Sequence, residues 1–326
     1  MKKILNDPNQ VLQDMTEGLA AAYPNELKQL SGTTVIAKKD APIANKVGIV
    51  SGGGSGHEPA HAGYVGKGML DAAVAGEVFT SPAPDQVFEA IKAADSGSGV
   101  LLVIKNYTGD VLNFEMAQEL AEAEGITVDK VIVKDDVAAG DQPSRRGIAG
   151  TIFVHKIAGA KAEKGRSLEE VKAAAEKTIQ NVRSMGMALS PCTVPAAGEP
   201  SFQLDENEME IGIGIHGESG IERKEIATAN DIANELTEKV LNDFDFTGEA
   251  AVMVNGLGST PEMELYIVNK KVQAILAEKG INVYKTFVGE YMTSLEMAGC
   301  SVTLLKLDDE LKTLLDEPSH APAFRI

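Results

Sequence analysis

Apolar positions Val11, Leu12, Met15, Leu19 and Ala20 recur at helical spacing and predict a leading amphipathic helix that Pro24 interrupts. Short β-branched or apolar runs follow at 34–37, 47–50, 72–75, 100–104 and 131–133 and read as buried strands. Helical stretches at 84–94 and 112–124 lie between them, so strand and helix alternate as a parallel or mixed α/β sheet requires. A helical pattern over 167–185 leads into the proline-rich segment 190–200, which carries no apolar periodicity and marks the expected domain boundary. Beyond it the alternation resumes, with strands at 209–216, 250–254, 282–287 and 301–307 and helices at 230–242 and 262–279. The expected fold class is therefore α/β with two domains. Residues 1–189 form a first domain with a mixed or parallel sheet flanked by helices, and 190–326 a smaller second α/β domain.

Composition narrows the function. A chain of 326 residues with 44% hydrophobic and 24% charged residues has ample apolar material for two buried cores. Its 48 acidic against 30 basic residues, a formal charge of −18, repel phosphate backbones and anionic membranes, so neither nucleic acid nor a membrane is an expected partner. Cys192 and Cys300 stand far apart without metal-like spacing, which fits a reducing compartment. No uninterrupted apolar window of about 18 residues occurs, and the expected location is the cytoplasm.

The strongest local signal is Ser51-Gly52-Gly53-Gly54-Ser55-Gly56-His57-Glu58-Pro59-Ala60-His61, following a predicted strand. Glycines leave backbone N–H groups uncovered for a small polar ligand, or else make a tight strand-to-helix turn. Neither the P-loop nor the dinucleotide spacing occurs. His57-Glu58-x-x-His61 matches the zinc-metalloprotease pattern, but that pattern requires a helix, and Pro59 with the preceding glycines places His57 outside one. A second polar run, Lys105-Asn106-Tyr107-Thr108-Gly109-Asp110, follows the strand at 100–104, and ligands bind beyond such strand ends. Asp110 is there a candidate base or a helix N-cap. In Glu210-Ile211-Gly212-Ile213-Gly214-Ile215-His216-Gly217-Glu218, alternating glycines bare one strand face, and His216 at its end is either hydrogen-bonded structure or chemistry. Arg145 and Arg146 bind an anion or form salt bridges, while His155 and His320 read as structural or surface residues.

Taken together, the glycine segment 52–61, the run 105–110, Arg146-Gly147-Ile148-Ala149-Gly150-Thr151 and Gly214-Ile215-His216-Gly217-Glu218 closely resemble the dihydroxyacetone kinase family over essentially the whole chain. The length matches that family's substrate-binding half, as in its stand-alone dihydroxyacetone-binding K subunits of the phosphoenolpyruvate phosphotransferase-coupled type. The resemblance implies a kinase subunit in which His216 adds to the ketone of dihydroxyacetone as a hemiaminal. Asp110 and His57 would handle protons as a substrate hydroxyl attacks a phosphoryl group, with Gly54, Ser55, Gly56 and Lys105 as substrate contacts. It further implies no nucleotide, cofactor or metal on this chain, and ADP/ATP with magnesium on a nucleotide-binding L-type partner subunit recharged by a phosphohistidine M-type carrier. A homodimer is likewise implied. The family commonly has proline after Gly-Ile-His-Gly-Glu, where Ser219 stands here. The same resemblance leaves open a non-catalytic paralogue that binds dihydroxyacetone and signals to a transcription regulator.

Overall fold

The computed structural model describes residues 2–140 and 142–326. The chain forms two compact units, one of Met1–Val133, Phe153–Thr178 and Thr313–Ile326, the other of Lys134–Ile152 and Ile179–Lys312. This differs from a single crossing at 189/190. The proline-rich segment is irregular backbone inside the second unit, where Thr193 and Pro200 bridge and the Ser201 N–H donates to the Cys192 carbonyl.

The first unit carries α1 (Val11–Ala22), β1 (Leu27–Gln29), β2 (Val35–Lys38), β3 (Gly48–Ser55), β4 (Ala72–Val78), α2 (Pro84–Ala94), β5 (Val100–Lys105), α3 (Thr108–Ala123) and β6 (Val128–Val133), then most of α4 (Thr151–Glu163) and α5 (Leu168–Asn181). Its sheet runs β1-β2-β4-β3-β5-β6. Strands β4, β3, β5 and β6 are parallel, and the edge pairs β2/β4 and β1/β2 antiparallel, so the sheet is mixed. All six residues of β5 are buried, the continuous apolar run expected when both sheet faces are covered. Val87, Ala90, Ile91 and Ala94 of α2 share a core with Phe114, Ala117 and Ala121 of α3 against Val50, Val74 and Leu102. Pro84 sits in the first turn of α2, where its missing N–H costs nothing. Helix α4 escaped the sequence pattern because it is buried almost all round and shows no polar face.

The second unit carries β7 (Val182–Ala188), β8 (Glu208–Ile211), β9 (Glu222–Glu225), α6 (Ala229–Asp243), β10 (Glu249–Gly256), α7 (Glu262–Glu278), β11 (Asn282–Gly289), β12 (Gly299–Leu307) and the start of α8 (Asp309–Asp316). Its sheet order is β11-β10-β12-β7-β8-β9, antiparallel except for β10/β11. Helices α6 and α7 supply Ile232, Leu236, Leu265, Val272 and Leu276 to a core with Met185, Met187, Val252, Val302 and Leu304. The Thr228 hydroxyl accepts the Asp231 N–H and starts α6. Two expectations are corrected here. The helix expected to reach 185 stops at Asn181, because the residues of β7 are all buried and pair with β12. The strand expected over 209–216 stops at Ile211, because Gly212 turns into the left-handed region at φ 77°. Among the described residues, no helix is long and apolar enough to cross a membrane.

Candidate active site

In the first unit, the chain leaves β3 toward β4 on one side and leaves β5 toward β6 on the other, so the carboxyl ends of β3 and β5 flank the switch point where α/β sheets hold ligands. The glycines lie within β3, which runs on to Ser55, rather than in a loop after Val50. Close neighbours exclude side chains there. A Cβ on Gly52 would lie 3.2 Å from Phe114 Cζ, and one on Gly54 2.6 Å from the Thr80 backbone nitrogen. A Cβ on Gly53 would stand 3.3 Å from Lys105 Nζ and 3.5 Å from Asp110 Oδ2, so glycine strand, ammonium and carboxylate share one spot.

Asp110 is not the N-cap of α3. Tyr107 holds that position with no side-chain cap, and Asp110 sits buried in the first helical turn, at the positive end of the helix dipole. Lys105 is fully buried at the end of β5, its Nζ 5.3 Å from the Tyr107 ring centre. The Ser55 hydroxyl donates to the Gly76 carbonyl at 2.7 Å and ties the end of β3 to β4. Gly56 adopts φ 99°, and its N–H donates to the Glu58 carboxylate at 3.0 Å. His57 is fully buried and stacks on Phe79, ring centres 5.1 Å apart and planes at 17°.

The zinc-protease spacing has no matching geometry. Residues 57–61 form turns rather than a helix, and His61 faces His155, with His61 Nδ1 3.0 Å from His155 Nε2, while His57 faces Phe79. Burial and then the Lys105 charge hold the His155 imidazolium down to about 3, and the same causes, with His155 itself, hold His61 well below its usual range. His155 is thus a core histidine; His320 is exposed and lies 3.3 Å from Glu26.

In the second unit, His216 lies in a turn five residues beyond β8 rather than at a strand end. Its Nδ1 stands 2.9 Å from Glu218 Oε1, and its backbone N–H donates to Glu218 Oε2 at 3.0 Å. Burial alone would raise the Glu218 acid, but hydrogen bonds from the His216 ring and backbone help bring it down to about 2, so the carboxylate stays ionised. A Nδ1–H donated to that carboxylate leaves the lone pair on Nε2, the tautomer a nucleophilic imidazole needs. The Gly217 N–H donates to the Gly214 carbonyl and the Ser294 hydroxyl to the Ile215 carbonyl, at 3.1 and 2.6 Å, fixing the turn. Sequence reasoning assigned no role to Glu218 or Phe79. Glu218 stood two residues from His216, within reach of a turn; Phe79 carried no signal.

Fold and site geometry define a two-unit α/β protein that groups a glycine strand, a buried ammonium and a carboxylate at the switch point of one sheet and pairs a histidine with a carboxylate beside the other. Residues 17–323 match the Dak1 domain. The chain belongs to the Dak1 family. The dihydroxyacetone-binding subunit DhaK of the PTS-dependent dihydroxyacetone kinase 1 of Listeria innocua serovar 6a is 55% identical over 315 residues, 95% of each chain. The crystal structure of the dihydroxyacetone kinase from C. freundii in complex with AMP-PNP and Mg2+ is 36% identical at TM-score 0.94, over 99% of this chain and 61% of that one. The dihydroxyacetone kinase operon co-activator Dha-DhaQ is 37% identical at TM-score 0.90, over 98% of this chain and 99% of that one.

Proposed function

We propose that this chain is the dihydroxyacetone-binding subunit of a phosphotransferase-coupled dihydroxyacetone kinase and holds its substrate covalently on His216. The observation that carries the reading is the His216–Glu218 pair, with Nδ1 2.9 Å from Oε1, an arrangement that favours the tautomer with its lone pair on Nε2. His216 Nε2 gives its lone pair to the carbonyl carbon, the C=O π pair moves to oxygen, and that oxygen takes a proton from water. The Nδ1 proton passes to Glu218 and on to the hydroxide left behind, which restores water and completes a neutral hemiaminal. Glycerol presents similar hydroxyls but no electrophilic carbon, so covalent capture excludes it where hydrogen bonds alone would discriminate weakly.

A terminal hydroxyl of the captured substrate then attacks the phosphoryl group of a nucleotide on a separate subunit, giving dihydroxyacetone phosphate. Asp110 accepts the hydroxyl proton, with His57 as second proton-handling group and Gly54, Ser55, Gly56 and Lys105 as contacts. The nucleotide and its magnesium belong to that L-type partner, which an M-type phosphohistidine carrier recharges, and the chain itself works as a homodimer.

The likeness to the co-activator supports a second reading, a sensor without turnover. Higher identity to a kinase subunit and the presence of both His57 and Asp110 favour the enzyme. Mixing the purified chain with its nucleotide-binding subunit, phosphohistidine carrier and phosphoenolpyruvate is expected to form dihydroxyacetone phosphate at a rate set by this chain's concentration. No product with any authentic set of partners would leave the sensor.

A further inference from the structure

The sequence left Arg145 and Arg146 unassigned, and the structure sends them to different carboxylates. Arg145 Nη1 donates to Asp243 Oδ2 at 2.8 Å, at the end of α6, and Arg183 Nε donates to the same oxygen at 2.7 Å. That triad ties loop, strand and helix together and lies apart from the His216 turn in the chain. Arg146 spans two groups instead. Its Nε donates to Asp136 Oδ2 at 2.7 Å and its Nη2 to the Gly212 carbonyl at 2.8 Å.

We propose that Arg146 is a positioning residue for His216, bridging the Asp136 carboxylate to the Gly212 carbonyl and so fixing the turn in which Glu218 orients the imidazole. The inference rests on the reading of His216 as the capturing group. Gly212 is the point where the chain leaves the sheet. Its N–H donates to the Gly186 carbonyl of β7 at 2.7 Å, while its carbonyl takes the guanidinium, so both backbone groups are held just before the turn begins. A Cβ on Gly214 would come within 2.6 Å of Arg146 Nη1 and would also overlap the Glu218 carboxylate. The guanidinium and the carboxylate that orients His216 therefore cover the same bare α-carbon.

The other end of the bridge is equally fixed. Asp136 is 1% exposed, its Oδ1 accepts the Ala138 N–H at 2.9 Å, and its own N–H donates to the Arg146 carbonyl at 3.1 Å. Burying a carboxylate is costly: burial, opposed by the Arg146 charge, pushes the Asp136 acid up to about 6. A planar fork with fixed directions serves both acceptors at once, whereas a lysine ammonium is a point charge on a flexible stem. Arg146→Lys therefore keeps the charge beside Asp136 and loses the Gly212 bond.

Two readouts separate this device from mere structural support. The first needs no ligand: imidazole 15N–1H spectra at neutral pH are expected to show a protected His216 Nδ1 proton in the native protein, lost or exchange-broadened in Arg146→Lys and in Asp136→Asn. The second follows the tetrahedral adduct of dihydroxyacetone labelled at its carbonyl carbon. Its apparent dissociation constant should rise about tenfold or more in both variants, the effect of one lost charge-assisted hydrogen bond. A folded Arg146→Lys protein with the native proton signal and native adduct affinity overturns the proposal; should that variant not fold, Asp136→Asn decides by the same two criteria. Loss of the proton signal in the variants, with no adduct even in the native protein, upholds the clamp and refutes covalent capture.

Discussion

Asp110→Asn is expected to bind dihydroxyacetone with the same tetrahedral-carbon signal as the native protein while turnover in the reconstituted kinase falls about 10²–10⁴-fold, the usual contribution of a positioned general base. The substitution keeps size and shape in a buried first-turn position and removes the carboxylate's charge and with it the capacity to accept a proton. On the proposed capture by His216 the two steps separate: adduct affinity holds, kcat falls, and KM changes little. Residual turnover through His57 would appear as a shifted pH profile rather than as native rate. Turnover within a few-fold of native in the variant would remove Asp110 from the proton path.

Acid should destabilise the first unit through its buried imidazoles. His155 is held to about 3 by burial and by the Lys105 charge, against an ordinary value of 6.5, and His61 lies beside it, also depressed. The sign follows from linkage. Below about pH 6.5 the unfolded chain takes up protons that the folded one refuses, so stability is full above that pH. It falls as pH drops toward about 3, by an amount on the order of a few kcal/mol. In the second unit, burial raises the Asp135 and Asp136 acids, which act oppositely: their protonation on acidification favours the folded state. The difference between the native protein and His155→Gln isolates the histidine, since glutamine hydrogen-bonds without titrating. Urea unfolding from pH 7 to pH 4 should show a flatter dependence in His155→Gln by about one proton. Identical slopes would mean that the pair already carries a proton in the folded protein.

Much of this was legible in the chain. Helix 84–94 reads directly from Pro84 and from Val87, Ala90, Ile91 and Ala94 at helical spacing, and all four pack into the core. The runs at 100–104 and 131–133 likewise became β5 and β6. Three features were hidden because tertiary contacts decide them. The glycines of β3 look like a loop by composition, yet they extend a strand because the backbone of 79–80 and the Phe114 ring leave no space for side chains. Helix α4 has no polar face to generate a period. The return to the second unit after Thr178 leads into β7, which pairs with β12 more than a hundred residues away in sequence, a contact no local pattern encodes.

The site shows the same division. Local spacing brought out Lys105, Asp110 and His57, and the fold places Gly53 against the first two. His216 was visible, but its apparent strand ended early at Gly212, and the groups packed about its turn, Glu218 at the ring and Arg146 at the Gly212 carbonyl, become evident only once the turn is folded. His155 resembled a surface or structural residue, and its contact with His61 joins α4 to the turn after β3.

The central claim is covalent capture on His216, and the most direct test is a carbon NMR spectrum of dihydroxyacetone labelled at its carbonyl carbon. The native protein is expected to convert part of the ketone resonance into a bound tetrahedral-carbon signal that His216→Ala does not form. A ketone resonance unaltered by the native protein, or a tetrahedral signal that persists in His216→Ala, would contradict it.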